Sequence, residues 1–196
     1  SEDELSKLAA QFSLDLDLLH DAMDLYEAPR IETDEGIIYV YTRYYHPDNG
    51  VINATEPLLV IYHPDCIITI LRIDSGILQK FTNGTLPVVT TQKTKTLLQF
   101  LAAGNDSYQA YVNKTTRHIL SVRSKLKRTD ISGEVLLGLV DIEDDLNEFL
   151  SALQPEAALM RSLLSGRYIK LYEEDKDLIE DLSLSINELV ELVKSR

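Results

Sequence analysis

The stretch "PLLVIYHPDCIITILRID", from Pro57 to Asp74, contains two apolar runs that are separated by a short polar turn. Both runs are rich in β-branched and aromatic residues, which favour strands over helices. The turn "HPDC" contains proline and aspartate, which are typical of tight turns. The pattern therefore predicts a β-hairpin with strands at 58–62 and 67–71, buried on at least one face.

More strands are predicted before this hairpin. "GIIYVYTRYY", Gly36 to Tyr45, has the same strand-like composition, and "RIETDEG" before it predicts a short strand that turns through Asp34, Glu35 and Gly36. Three segments with helical patterns flank the strands, at about 4–12, 15–25 and 94–103. The first half of the chain is thus predicted to form a sheet with helices around it.

The pattern becomes helical near residue 105 and remains so. One helix is predicted from an aspartate cap at Asp106, and a second follows with an apolar side. That side comprises Leu136, Leu139, Val140, Leu146, Phe149, Leu150 and Leu153. Pro155 is expected either to kink or end the second helix, or to begin another one. The last helix follows Gly166.

These patterns together predict an α+β (α/β) fold with two subdomains. Residues 1–105 are expected to form an α/β sandwich subdomain, in which helices flank a mixed β-sheet. Residues 106–196 are expected to form a helical subdomain of two long antiparallel outer helices and a final helix at 167–196.

The closing stretch, Tyr172 to Arg196, carries an apolar stripe with heptad-like spacing. The stripe comprises Ile179, Leu182, Ile186, Leu189 and Val193. It favours either packing on the helix's own domain or contact with a partner helix. Because no Gly, Asn or Pro ends the pattern, we expect the helix to continue into a segment that the sequence does not contain.

The composition excludes several classes of function. Thirty-two acidic residues against nineteen basic ones give a formal net charge of −13, which repels phosphate backbones and anionic lipid and favours cations as partners. The sequence therefore predicts no nucleic-acid partner. Its single cysteine, Cys66, permits no internal disulfide. No apolar run reaches the roughly 18 to 20 residues that a membrane helix needs.

No catalytic motif is present, whereas carboxylates are abundant. The sequence has no glycine-rich phosphate loop, Gly-x-Ser-x-Gly elbow, Cys-x-x-Cys pair or His-Glu-x-x-His motif. Six acidic residues fall between Glu173 and Asp181, and a second acidic group lies between Asp141 and Glu148. Oxygen ligands of this kind suit Mg²⁺. A solvated acidic face and a metal-dependent hydrolase are the alternative interpretations.

The order of segments resembles the cytoplasmic domain of the CorA family of magnesium transporters. "QFSLDLDLLHDAMDLYEAPRIETDEGIIYVYTRYY" is similar to the opening of that domain, and "EPLLVIYHPDCIITILRID" to the paired strands that follow. "YVNKTTRHILSVRSKLKR", "LLGLVDIEDDLNEFLSAL" and "YIKLYEEDKDLIEDL" are similar to its two outer helices and the start of its stalk helix. The family's Gly-Met-Asn tripeptide and both of its membrane helices are missing from this sequence.

The resemblance implies a regulatory, ion-sensing domain of a homopentamer on the cytoplasmic face of the cell membrane, without enzymatic activity. In this family divalent cations between subunits keep the pore closed. The resemblance implies Mg²⁺ as a weakly bound ion, with Co²⁺, Ni²⁺ and Zn²⁺ as alternatives, and membrane contact only through helices that this sequence lacks. It places one ligand at Asp21 and the partner ligand on the stalk helix at Asp177, Asp181 or Glu174. The alternative function is a stand-alone soluble interaction module of the same fold.

Overall fold

The computed structural model describes residues 2–46, 55–73, 76–86, 88–89, 91–126 and 133–195 of the chain. Within these ranges it has six helices and four strands. In chain order these are α1 Glu2–Phe12, α2 Leu16–Asp21, β1 Arg30–Asp34, β2 Ile37–Tyr45, β3 Thr55–Tyr62, β4 Ile67–Leu71, α3 Ile77–Thr82, α4 Lys93–Leu126, α5 Gly133–Leu164 and α6 Glu173–Lys194.

The four strands form one sheet in the order β1-β2-β3-β4, and each neighbouring pair is antiparallel. The predicted hairpin is confirmed, since Leu58 pairs with Leu71 and Tyr62 with Ile67. The predicted turn between β1 and β2 is also confirmed: Glu35 has φ 46° and Gly36 has φ 84°, the left-handed geometry of a tight hairpin turn. The α+β class is confirmed, although the sheet is antiparallel instead of mixed, because short turns join strands that run in opposite directions.

Both faces of the sheet are buried, each under its own group of helices. Alternate residues of the central strands point to opposite faces. Tyr39 and Tyr41 of β2 pack with residues of α1 and α2, together with Leu59 and Ile61 of β3. The alternate residues of the same strands face α4, α5 and α6 on the other side of the sheet. They include Ile38, Val40, Tyr44, Leu58 and Val60. The sheet therefore separates the two N-terminal helices from the three long ones.

Hydrogen bonds to and from two buried tyrosines hold α2 on its face of the sheet. The Tyr41 hydroxyl donates to the carbonyl oxygen of Leu18 over 2.6 Å. The amide of Asp15 donates to the Tyr39 hydroxyl over 3.1 Å, and the Asp15 carboxylate caps α2 by accepting from the amides of Asp17 and Leu18. These contacts fix the orientation of α2 relative to β2.

Helix α4 is a single helix, so the prediction of one helix ending at 103 and another beginning at an Asp106 cap is wrong. It runs continuously through residue 105, the predicted limit between the subdomains. Gly104 lies inside the helix at a close approach to β2, where an added Cβ would lie 3.2 Å from the Arg43 carbonyl oxygen. The glycine therefore allows close packing and does not end the helix.

Helix α5 continues through Pro155 without ending, although the proline nitrogen cannot donate the backbone hydrogen bond of that turn. Its apolar side is only partly buried. Leu146, Phe149 and Leu153 lie in the core, whereas Leu136 and Val140 are 51% and 52% exposed. The short connection to α6 makes the two helices antiparallel neighbours. At 1.5 Å per residue α6 spans about 33 Å against about 48 Å for α5, so α6 does not reach the first turns of α5.

The apolar stripe of α6 is buried within its own chain. Ile179, Leu182 and Ile186 are at most 5% exposed, and Leu189 and Val193 are buried beside them. They contribute to the core that α4 and α5 share with the sheet. The interpretation of packing on the helix's own domain is confirmed, and the stripe is not available to a partner helix.

Polar contacts also join α5 to the sheet. Glu148 accepts from the Thr55 amide over 2.9 Å and from the Thr55 hydroxyl over 2.6 Å. Arg43, which is 8% exposed, donates to the carbonyl oxygens of Leu25, Glu27 and Thr55. About two turns after Glu148 on α5, Glu156 accepts from the Thr42 hydroxyl over 2.8 Å. These buried polar groups are thus satisfied by partners on other elements of the chain.

Phe149 lies at the centre of an aromatic cluster with Tyr45, Tyr108 and Tyr111, with ring centroids 5.0 to 5.6 Å apart. Because Phe149 is fully buried, we expect Phe149→Ala to lower the free energy of unfolding by about 3 to 5 kcal/mol. Leu136→Ala on the same helix is the control and should change it by less than about 0.5 kcal/mol. Urea denaturation measures both, and similar losses in the two variants would contradict this packing.

Candidate functional site

Asp21 lies at the end of α2, where its carboxylate is bound by Arg30. The Asp21 Oδ2 atom is 2.7 Å from Arg30 Nη2, and the same guanidinium contacts Glu27 and Glu32, each over 2.7 Å. The guanidinium also lies over the Tyr41 ring, 4.2 Å from its centroid. One cation is thus shared by three carboxylates, and the group keeps an excess of negative charge.

Arg30 and the carboxylates of Asp21, Glu27 and Glu32 form the Asp21 group, which lies between the protein interior and solvent. The Asp21 side chain is 44% exposed and that of Arg30 is 30% exposed. On the inner side, burial raises the pKa of Tyr41, and the charge of Arg30 opposes that rise. Tyr41 is therefore a neutral support for Arg30. The side chains of Asp21 and Glu32, 44% and 48% exposed, are accessible to a cation from solvent, whereas that of Glu27 is 14% exposed.

The predicted ligands on α6 lie on its exposed surface. Glu174, Asp177 and Asp181 are exposed, and none of them forms an ion pair within the described part of the chain. Glu174 also lines a cleft of about 700 Å³, together with Tyr62 and three lysines, Lys93, Lys95 and Lys170. Asp177 and Asp181 are four residues apart, so they share a face of α6.

Other members of the acidic stretch have local structural roles. Asp175 is 9% exposed, and its carboxylate accepts from the Tyr172 amide at the start of α6. Glu173 forms an ion pair with Lys176 over 2.7 Å. The acidic start of α6 is therefore partly explained by capping and by local pairing, which leaves Glu174, Asp177 and Asp181 available.

The structure does not bring Asp21 and the α6 carboxylates together in one chain. Asp21 is on α2, which packs on one face of the sheet, whereas α6 packs on the other face with α4 and α5. Among the described residues, no group of three or more His, Cys, Asp or Glu side chains is arranged to hold a metal ion. A cation held by both Asp21 and α6 would have to bind between two copies of the chain.

Sequence reasoning missed two features of these polar sites. The role of Arg30 was detectable, because the segment "EAPRIETD" places one arginine among Glu27, Glu32 and Asp34. The buried Glu156 was detectable from its spacing, since it falls three to four residues from Ala152, Leu153 and Met160 on the apolar face of α5. Its contact with Thr42 could not be found, because the two residues are 114 positions apart.

The acidic group of α5 is also divided between surface and interior. Asp141, Glu143 and Asp144 are exposed. The half-buried Asp145 accepts a hydrogen bond from the Tyr111 hydroxyl, and burial raises its pKa while this hydrogen bond opposes the rise. This group therefore contains both solvated charges and a contact between α4 and α5. None of the described helices has the length and apolar character required to cross a membrane.

Solved structures of other proteins share this fold. The soluble domain of CorA from Methanocaldococcus jannaschii matches with a TM-score of 0.87 and 19% sequence identity, over 100% of this chain and 79% of that one. The complete CorA magnesium transporter from the same organism matches with a TM-score of 0.87 and 17% identity, over 100% of this chain and 62% of that one. The chain thus spans less than two thirds of the complete transporter.

A third structure, the full-length CmaX protein, matches with a TM-score of 0.82 and 12% identity, over 97% of this chain and 59% of that protein. No match was found among curated protein sequences. The model of the family described as "CorA-like Mg2+ transporter protein" matches residues 1–195, which is nearly the entire sequence. The chain therefore belongs to the CorA-like Mg²⁺ transporter family, and its fold is that of the soluble domain of CorA.

Proposed function

We propose that the chain is the cytoplasmic regulatory and ion-sensing domain of a CorA-like divalent cation channel, located at the cytoplasmic face of the cell membrane. Membership of the family carries this proposal. In this proposed mechanism, carboxylates of neighbouring subunits bind Mg²⁺, and occupancy of these sites favours the assembly in which the pore is closed. The domain itself has a regulatory role and no catalytic one.

The positions of the candidate ligands support binding between subunits. Asp21 and the α6 residues Asp177 and Asp181 are accessible, yet they lie on elements that the sheet separates. A cation that contacts both sets therefore links two copies, and its binding energy contributes to assembly. This geometry gives the ion a direct effect on the arrangement of subunits, which an ion bound within one chain would not have.

Charge supports the same mechanism. Each chain carries a formal net charge of −13, so a homopentamer of such domains is opposed by repulsion that bound cations reduce. Carboxylate and water oxygens suit Mg²⁺, whereas Co²⁺, Ni²⁺ and Zn²⁺ bind imidazole more readily. We therefore propose Mg²⁺ as the regulatory ion, with the other three as competitors, and weak binding through one or two carboxylates per subunit.

The ligand assignment predicts that the double variant Asp21→Asn, Asp181→Asn loses its response to Mg²⁺. In the wild-type protein, MgCl₂ at ten times the Kd should raise the free energy of unfolding by about 1.4 kcal/mol and promote self-association. The measurements are thermal denaturation and sedimentation at constant ionic strength, with and without MgCl₂. The variant should show neither effect.

Asp17→Asn combined with Glu188→Gln is the matched control. It removes the same amount of charge from exposed positions of the same two helices. Its response to MgCl₂ should equal that of the wild-type protein. Equal losses in both double variants would show that Mg²⁺ acts only through overall charge, which would contradict the assignment of Asp21 and Asp181.

Arg30 provides a second test, because its guanidinium forms an ion pair with the Asp21 carboxylate and therefore competes with a bound cation. Removal of this competitor by Arg30→Met should leave the Asp21 group more negative and lower the Mg²⁺ concentration needed for half-maximal stabilisation. Arg167→Met removes one positive charge from an exposed position and should leave that concentration unchanged. Isothermal titration with MgCl₂ compares the two, and weaker binding in Arg30→Met than in Arg167→Met would contradict the role of Asp21.

A further inference from the structure

Glu156 is a buried carboxyl group at the interface between α5 and the sheet. It is 7% exposed, and the Thr42 residue of β2 that donates to it is 2% exposed. The oxygen atoms of the two side chains are 2.8 Å apart. The contact joins positions 114 residues apart and lies within the core formed by α4, α5, α6 and the sheet.

No cation accompanies this carboxyl group. Arg43, the nearest buried cation along β2, has its guanidinium bonded to backbone and Thr55 oxygens. Around the buried Tyr108, the other ionisable side chains besides Arg43 and Glu156 are Tyr44 and Glu148, and neither residue type supplies a positive charge. From α6 the core receives apolar side chains, and the buried Asp175 of that helix accepts from the Tyr172 amide. Within the described residues, Glu156 forms no ion pair.

A buried carboxylate without a cation is unstable, so this environment favours the protonated form. Burial raises the pKa of Glu156 from 4.5 to about 8, and the hydrogen bond from Thr42 opposes this rise. A raised acid pKa in the folded state means that the stabilisation is complete below pH 4.5 and is lost as the pH rises toward 8. Ionisation therefore requires water to reach Glu156.

The hydrogen bonding of the α5 backbone is interrupted next to Glu156. Pro155 has no amide hydrogen, so the preceding turn of α5 lacks one helical hydrogen bond. We propose that the buried Glu156 carboxyl group is a proton-dependent latch: α5 packs on the sheet at Thr42 while the group is protonated, and the cost of a buried charge favours an opened state when it ionises. Because α6 packs on α5, opening changes the packing of both helices. This inference goes beyond the proposed cation site and does not depend on it.

The test combines the titration of Glu156 with hydrogen exchange of the wild-type chain, Glu156→Gln and Glu143→Gln. Carboxyl ¹³C NMR should show Glu156 titrating near pH 8 in the wild-type protein. Protection factors of the α5 amides from Ala152 to Leu163 should fall about fiftyfold between pH 6 and 8, the effect of one proton that titrates at 4.5 in the open state and about 8 in the closed state. Glu156→Gln should abolish this fall.

Glu143→Gln is the matched control, because it makes the same change at an exposed position of α5 and should behave as the wild-type protein does. Amides of β2 and β3 that exchange through global unfolding also lose protection with this proton, so the latch predicts that the α5 amides are less protected than those of the sheet at each pH. Titration of Glu156 near 4.5, or α5 amides that are as strongly protected as those of β2 and β3, would overturn the latch. Thr42→Val is an independent test of the hydrogen bond. Without the hydroxyl donor the titration midpoint of Glu156 should rise, and an unchanged midpoint would show that Thr42 does not donate to Glu156. If Glu156→Gln does not fold, the NMR titration of Glu156 in the wild-type protein still tests the latch.

Discussion

The burial of both faces of β2 and β3 is the constraint on which the other features of this molecule depend. Every residue of β2 from Ile37 to Tyr44 is buried, so the sheet needs a helical layer on each side. The connections decide which helices form each layer. The short α1 and α2 cover one face, and the long α4 and α5, with α6 behind them, cover the other. As a result, the carboxylates of α2 and α6 face different surroundings and can meet only between copies of the chain.

The polar groups that connect α5 to the sheet include one half-buried and one buried carboxyl group. Glu148 lies 4.0 Å from the Arg43 guanidinium and accepts two hydrogen bonds from Thr55. Glu156 has one hydroxyl donor and no cation. The first arrangement compensates a charge and the second disfavours one. The two carboxyl groups of one helix thus differ in their partners, since Glu148 lies near the Arg43 guanidinium and Glu156 has a hydroxyl donor alone.

The family shows how little sequence identity this architecture needs. At 19% identity the chain and the soluble domain of CorA share the fold with a TM-score of 0.87. Cores tolerate extensive substitution when volume and apolar pattern are kept. Surface charges have no such constraint, so the shared fold does not determine the positions of surface carboxylates such as Asp21, Glu174, Asp177 and Asp181.

The sequence by itself determined the strands, the hairpins, the fold class and the family, because these follow from local patterns. "HPDC" and "DEG" define turns through local backbone geometry, and the stripe from Ile179 to Val193 repeats at helical spacing. It determined the candidate ligands only as exposed carboxylates. Helix ends were less certain: no local signal distinguishes Gly104 as a packing position from a helix end, since the difference is the proximity of β2.

Only the tertiary structure decided which groups meet. The contact of Glu156 with Thr42, the sharing of Arg30 by three carboxylates and the exposure of Leu136 and Val140 depend on the relative positions of elements. Side-chain contacts of this kind reflect distance in space, whereas a sequence pattern reports only spacing along one element. For the same reason the sequence placed Asp21 and Asp181 on two helices, and the fold alone determined that the sheet lies between them.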